Sequence, residues 1–336
     1  MTAKIAYVAI MDNAPAFLDQ SRPAVPDIAV PRGVNPFYLP LRPVRGRLIK
    51  LGPLAAALLD RHNYPPCVTP LAGQALVMVA ALATALKFTG SFSLQIKGDG
   101  PVRMLLADCT DGGALRGYAS VDQEKLDALL AEHPTPTTQQ LLGDGFLAFT
   151  VDQGPDMERH QGIVALEGET LEQMALHYFK ASEQTACFLR LACAETSNGW
   201  RASALVLERI AGAGGVDPEM DMLAQDESWT TALVLADTVK DSELLDDALP
   251  ADHLLWRLFG TEGVAADRPR KLNYGCRCSR ARLSEVLATF GTDDLDHMQD
   301  GGAITMTCEF CNMEFRFDRT EVGPAIPTHN ASSETH

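Results

Sequence analysis

Cys276-Arg277-Cys278, then 29 residues, then Cys308-Glu309-Phe310-Cys311: these two close cysteine pairs, in the last fifth of a 336-residue chain, decide how the sequence divides. Four soft thiolates at this spacing form a four-cysteine signature suited to tetrahedral Zn²⁺, one ion per chain. The insert between the pairs has its own pattern. Ser279 is placed to cap a helix that carries Leu283, Val286, Leu287 and Phe290 along one stripe. After Gly301-Gly302, Ile304 and Met306 alternate into Cys308, and Phe315 and Phe317 alternate beyond Cys311. The second pair is therefore expected at the turn of a hairpin. His297 lies in a polar stretch and is expected on the surface rather than on the metal.

Two features distinguish this signature from an inert zinc ribbon. Cys-x-Cys is tighter than the usual Cys-x₂-Cys knuckle, and a bridge across so short a loop would be strained and labile. From Arg268 to Arg282 there are six bases (Arg268, Arg270, Lys271, Arg277, Arg280 and Arg282) and no acid. Such a field is expected to favour thiolate, the form that oxidants attack. The same bases could contact phosphate. Residues 268–320 hold eight bases and eight acids, however, so the module has no net pull on nucleic acid.

Upstream, residues 217–252 hold eleven acids (Asp217, Glu219, Asp221, Asp226, Glu227, Asp237, Asp241, Glu243, Asp246, Asp247 and Asp252) against one base, Lys240, a net of −10. The segment is also apolar. Trp229, Leu233, Ala236 and Val239 recur at helical spacing, and Leu244, Leu245 and Leu249 follow. This is an acidic amphipathic helical region whose like charges repel. It reads either as a connector with a solvated acidic face or as a marginal region that holds apolar surface in reserve.

Further upstream the pattern is mixed. Leu51–His62 is helix-like, and the apolar run from Leu71 to Phe88 reads as a buried helix. Phe92, Leu94 and Ile96 alternate up to Gly98-Asp99-Gly100-Pro101, and Val102–Ala107 resumes the extended pattern, a hairpin. Phe146–Val151, Ile163–Leu166, Leu189–Cys193 and Ala204–Leu207 are further strands. Thr170 is an expected N-cap for a helix to about Ser182, with Leu171, Met174, Ala175 and Tyr178 on one face. Strands and helices without regular alternation point to an α+β fold. The expected order is an irregular extension over 1–37, an N-terminal mixed α/β domain over 38–210, and a helical acidic linker over 211–265. A small C-terminal four-cysteine zinc-binding domain over 266–322 and a disordered tail over 323–336 complete it. Cys67, Cys109, Cys187 and Cys193 are scattered through the first domain, where small buried hydrophobes are the expectation.

The whole-chain numbers bound the function. The formal net charge of −16 argues against a coat for nucleic acid or an anionic membrane. The first twenty residues lack the long apolar core of a signal peptide, and no apolar run reaches the ~20 residues that cross a bilayer. A cytoplasmic, reducing compartment is expected, where clustered cysteines bind metal or do redox chemistry. No Ser–His–Asp, phosphate-loop or paired-carboxylate pattern is present, so no enzyme is expected. Two other readings of the cysteine pairs are weighed: a thiol–disulfide oxidoreductase using Cys308-x₂-Cys311, and a zinc-ribbon nucleic-acid regulator. The first motif lies between strand patterns rather than opening a helix, and the acidic total disfavours the second.

From about residue 37 to about 322 the chain resembles the redox-regulated heat shock protein 33 family, the 33-kilodalton chaperones of bacteria. The resemblance is carried by Leu86-Lys87-Phe88, Gly98-Asp99-Gly100-Pro101, Gln161-Gly162, Leu166-Glu167-Gly168, Tyr178-Phe179, Ser182-Glu183-Gln184 and Trp256-Arg257-Leu258, and by the two terminal cysteine pairs. It implies a protein that is inactive when reduced, with zinc on Cys276, Cys278, Cys308 and Cys311. It also implies oxidation by peroxide or hypochlorous acid to Cys276–Cys278 and Cys308–Cys311 bridges. Loss of zinc would unfold the C-terminal module, because metal-binding free energy is folding free energy. The acidic linker would then expose apolar surface that holds unfolding client proteins without ATP. The resemblance further implies a homodimer when oxidised. The N-terminal extension and the four scattered cysteines depart from the family pattern.

Overall fold

The protein is seen here as a computed structural model, which describes residues 26–85, 88–153, 157, 159–183, 186–210 and 218–323. The chain divides into two compact units, one over Pro26–Gly275 and one beginning at Cys276.

The larger unit is built on one sheet. Its strands are β1 (Ala29–Leu39), β2 (Val44–Lys50), β3 (Ser91–Gly98), β4 (Val102–Thr110), β5 (Ala114–Val121), β6 (Gly145–Asp152), β7 (His160–Ala165), β8 (Cys187–Thr196), β9 (Gly199–Arg209), β10 (Ala265–Ala266) and β11 (Arg270–Tyr274). The order is β7-β6-β3-β4-β5-β11-β1-β2-β9-β8, with β10 also on β1. Every pairing is antiparallel except β11 with β5. The expected hairpin at Gly98–Pro101 is β3–β4, with Phe92, Leu94 and Ile96 buried on one side. The other expected strands are present, and two of them join as the long β8–β9 hairpin.

Helix α1 (Pro53–Leu59) and helix α2 (Thr69–Ala83) follow β2. Helix α2 is apolar around its whole circumference and almost wholly buried, as a helix must be when it has no polar face to give to water. It lies against β2, β3, β4, β5, β8 and β9. Its approach to β8 is close: a Cβ at Gly73 would sit 2.2 Å from Cys193 Sγ. Gly73→Ala is expected to destabilise the protein by about 1–2 kcal/mol in urea unfolding, overpacking outweighing the helix-propensity gain of ~1 kcal/mol. Cys193→Ala in the same chain should restore the loss.

Helices α3 (Gln123–Glu132) and α4 (Thr138–Leu142) cap one end, and α5 (Leu171–Tyr178) begins at Thr170, whose hydroxyl accepts from the Gln173 amide as expected. Helix α5 is extended to Glu183 by a single π turn. The linker supplies α6 (Pro218–Asp237), α7 (Asp241–Leu244) and α8 (Ala251–Phe259). These helices cover β1, β2, β9 and β8. Ala232, Ala236, Val239, Leu244, Leu254, Leu255, Leu258 and Phe259 are buried in one cluster with Phe37, Leu39, Val44, Leu48, Leu205 and Leu207. Strand β9 is buried on both faces because α2 lies against it on the other side.

Two expected boundaries change. Residues 29–37 are not irregular but form most of β1. Their prolines concealed it: Pro31 falls where the β1–β11 register shifts, between Val30 and Val34, so its missing N–H breaks no regular ladder. Residues 266–275 belong to the large sheet rather than to the cysteine module. Arg270–Tyr274 is a strand with Leu272 and Tyr274 buried, inserted between β5 and β1, so the basic run 268–282 spans two units. Residues 1–25 of the extension, Leu86, Lys87, Gln184, linker residues 211–217 and tail residues 324–336 lie outside the described residues.

In the smaller unit, α9 (Arg280–Leu287), α10 (Thr292–Met298) and the hairpin of β12 (Ala303–Thr307) with β13 (Glu314–Asp318) surround the cysteines. No helix among the described residues is long and apolar enough to cross a membrane.

Candidate metal centre

Each cysteine pair is placed by a local device. Ser279 caps α9 immediately after Cys278, its hydroxyl accepting from the Arg282 amide at 3.2 Å. The β12–β13 hairpin delivers the second pair. The Cys308 amide donates to Met313 O at 2.9 Å, and the Asn312 and Cys311 amides donate back to Cys308 O at 2.7 and 3.2 Å. Asn312 takes the left-handed conformation (φ 54°) that closes the knuckle, which asparagine tolerates better than other non-glycine residues.

The two loops bring the four sulfurs within 4.8 Å of one another. Cys276 Sγ lies 3.4 Å from Cys278 Sγ and 3.7 Å from Cys308 Sγ, and Cys278 Sγ lies 3.4 Å from Cys311 Sγ. All four are unbridged thiols. Sulfurs about 2.3 Å from a central Zn²⁺ stand roughly 3.8 Å apart in a tetrahedron, so the cluster matches that ion to within a few tenths of an ångström on these contacts. Cys276, Cys308 and Cys311 are buried and Cys278 is half-buried. All four sequence-predicted residues therefore meet in one place that could hold a metal ion. His297, the fifth residue considered, is exposed, with Nδ1 against Asp293 O at 2.6 Å.

The electrostatics come from the sulfurs themselves. The Cys278 thiol hydrogen bond brings Cys276 down to about 7, and bonds from Cys276 and Cys278 hold Cys308 in the thiolate range. Cys278 and Cys311 are pushed up, each first by Cys276. Without a cation the site keeps some thiols protonated as donors to its thiolates; a divalent ion removes that need. The basic field expected from the sequence is not among the main causes. Arg280 stacks over Phe317, 4.5 Å from the ring centroid, and pairs with Glu321 at 2.9 Å, so it ties helix to hairpin.

Of the four scattered cysteines expected to be buried, only Cys109 is; Cys67, Cys187 and Cys193 are half-buried. Cys109 is fully buried on β4. Burial pushes the Cys187 and Cys193 thiols up to about 12. They are expected to react with a disulfide reagent at pH 8 at least about a hundredfold more slowly than an unperturbed thiol. Because unfolding releases these protons near pH 8.5–9, their effect on stability turns unfavourable only above that pH.

Sequence reasoning missed the cations that face the acidic linker. Arg209 pairs with Asp226 at 2.6 Å, Arg190 with Asp241 at 2.7 Å and Arg201 with Asp247 at 2.6 Å, and Arg42 pairs with Glu262. Lys50 donates to Asp246 O at 2.6 Å and Leu249 O at 2.9 Å. Partners 46 or 220 residues apart leave no local signal.

A helix-covered sheet that carries a cationic seat for acidic helices, followed by a four-thiol knuckle, defines a two-unit α+β protein with a C-terminal module that could hold a metal. The family model described as Hsp33 protein matches residues 34–318. The chain is 37% identical over 290 residues to the 33 kDa chaperonin of Caulobacter vibrioides, covering 85% of this chain and 94% of that one. It is 34% identical over 276 residues to the 33 kDa chaperonin of Sodalis glossinidius, covering 82% and 88%. The crystal structure of the 33 kDa chaperonin of Thermotoga maritima shares the fold, with a TM-score of 0.69 over 86% of this chain and 96% of that one at 20% identity. The chain belongs to the Hsp33 family of chaperones.

Proposed function

We propose that this chain is a redox-regulated, ATP-independent holdase that is inactive while reduced and zinc-bound. The observation that carries the proposal is the cluster of four unbridged sulfurs within 4.8 Å, in a module whose own apolar core is small. Bound zinc would hold Cys276, Cys278, Cys308 and Cys311 as thiolates and supply folding free energy to the module.

Oxidation would proceed within each pair. Two thiolates give two electrons to peroxide, which with two protons leaves as two waters, and one S–S bond forms. The products, Cys276–Cys278 and Cys308–Cys311, are no longer anionic ligands. Residues of the knuckle then lose what holds them together. The linker helices are joined to the knuckle by β10 and β11, and their release would uncover Phe37, Leu39, Val44, Leu48, Leu205 and Leu207. Such a face suits unfolded client proteins, and its acidic cover would keep the loaded complex in solution. Dimerisation of the oxidised form and a cytoplasmic site of action belong to the same proposal.

The test is client aggregation followed by light scattering, with reduced zinc-loaded protein and with protein oxidised by peroxide at raised temperature. Suppression by the oxidised form alone is expected; equal suppression by both forms would remove the switch. Catalytic reduction of insulin disulfides would favour an oxidoreductase instead, although Cys308-x₂-Cys311 sits in a hairpin turn and not at a helix start.

A further inference from the structure

On the face of β2 and β9 opposite the linker helices the larger unit holds a cavity of about 640 Å³. That volume is in the range that takes one small molecule. Its apolar wall is an aromatic cluster: Phe149 stacks on Phe92 with centroids 5.5 Å apart, meets Tyr178 edge-on at 4.7 Å, and lies 6.1 Å from Phe179. Part of the opposite wall is charged. Glu208 accepts from Arg45 at 2.7 Å on one oxygen and from Arg47 at 2.8 Å on the other, so one carboxylate serves two guanidiniums. Arg159, also lining the cavity, is balanced by Asp152 at 2.9 Å. Among the described residues, Arg45, Arg47, Glu208, Arg159 and Asp152 together leave one positive charge in excess at this wall, in a chain whose net charge is −16. Arg45 is half-exposed there, able to turn a guanidinium edge toward an anion.

We infer that this cavity binds a small anionic amphiphile, an aliphatic or aromatic carboxylate whose apolar body lies on the Phe149 cluster and whose carboxylate meets Arg45. The site is separate from the cysteine cluster and does not rest on the redox reading. Charge complementarity selects the headgroup, and the aromatic wall selects the body. Alternate residues of β9 serve the two faces: Val206 and Glu208 line the cavity, while Leu205 and Leu207 pack under the linker helices and Arg209 pairs with Asp226. Occupancy would therefore brace the strands on which the linker rests.

Decanoate is a suitable probe, with decylamine as a control of equal tail and opposite charge. Both are titrated calorimetrically into reduced, zinc-loaded, full-length protein. Decanoate is expected to bind one per chain at least tenfold more tightly than decylamine. Arg45→Gln should weaken decanoate at least tenfold, and Ser182→Trp, which fills the cavity from its exposed rim, should abolish binding. A second readout needs no variant: Cys187 lines the cavity, so decanoate should slow its alkylation by a maleimide at least fivefold and leave Cys67 unchanged. The proposal is overturned by equal binding of the two amphiphiles, by decanoate affinity that ignores both substitutions, by an unprotected Cys187, or by no binding at all.

Discussion

Cys308→Ser is expected to abolish stoichiometric zinc binding and to unfold the C-terminal module in the reduced protein. The module's buried apolar side chains are few: Leu287, Leu295, Ile304, Phe315, Phe317 and Val322. Units of this size rarely hold together on such a core without a staple. Four ligands share roughly 10–16 kcal/mol of apparent zinc-binding free energy, so losing one should weaken the ion by about a hundred- to a thousandfold. Cys308→Ser removes the sulfur and keeps the backbone carbonyl that accepts the Cys311 and Asn312 amides, so the loss falls on the metal site and not on the knuckle's own hydrogen bonds. Metal analysis should fall from about one zinc per chain toward none. Hydrogen exchange should lose protection at the β12–β13 ladder, Ile304 with Phe317 and Met306 with Phe315, while β3 and β4 keep theirs. A variant that lost zinc and kept that protection would show that the metal does not hold the module.

Phe259→Ala is expected to release the linker without any oxidant. Phe259 is fully buried and stacks on Phe37, with centroids 5.4 Å apart, between α8 and β1. Truncating it should cost about 3–5 kcal/mol. That loss falls on helices whose charged contacts are mostly part-exposed pairs worth about 0–1 kcal/mol each. Reduced, zinc-loaded Phe259→Ala protein should therefore suppress client aggregation as oxidised wild type does. Trp256→Ala is the control: it lies on the same helix but is 71% exposed, so it should change stability by about 0.5 kcal/mol or less and leave the reduced protein inactive. If Phe259→Ala loosens α8 by hydrogen exchange and the protein stays inactive, uncovering this face is not what makes the chaperone.

The two variants also mark what the sequence discloses. Cys276, Cys278, Cys308 and Cys311 were legible because each pair is local and each is placed by a local device, the Ser279 cap and the hairpin turn. The strands of β3–β4 and the Thr170 helix start were legible for the same reason. What stayed hidden depends on distant partners. Strand β11 has a weak pattern of its own and exists because β5 and β1 leave it a place. The prolines of β1 read as irregular until the register shift opposite them is known. The acidic run read as self-repelling, and it is, but Arg190, Arg201 and Arg209 from the sheet meet three of its carboxylates, and Arg42 meets Glu262 just beyond it. Composition gave the charge of the linker; only the fold shows where the opposite charge sits.

The most direct test of the switch is to count zinc and free thiols on the same sample before and after peroxide at raised temperature. The account predicts about one zinc and eight thiols per chain at the start. It predicts that four thiols, those of Cys276, Cys278, Cys308 and Cys311, disappear as the zinc is released and as suppression of client aggregation appears. Suppression that rises while zinc and all eight thiols remain would contradict it.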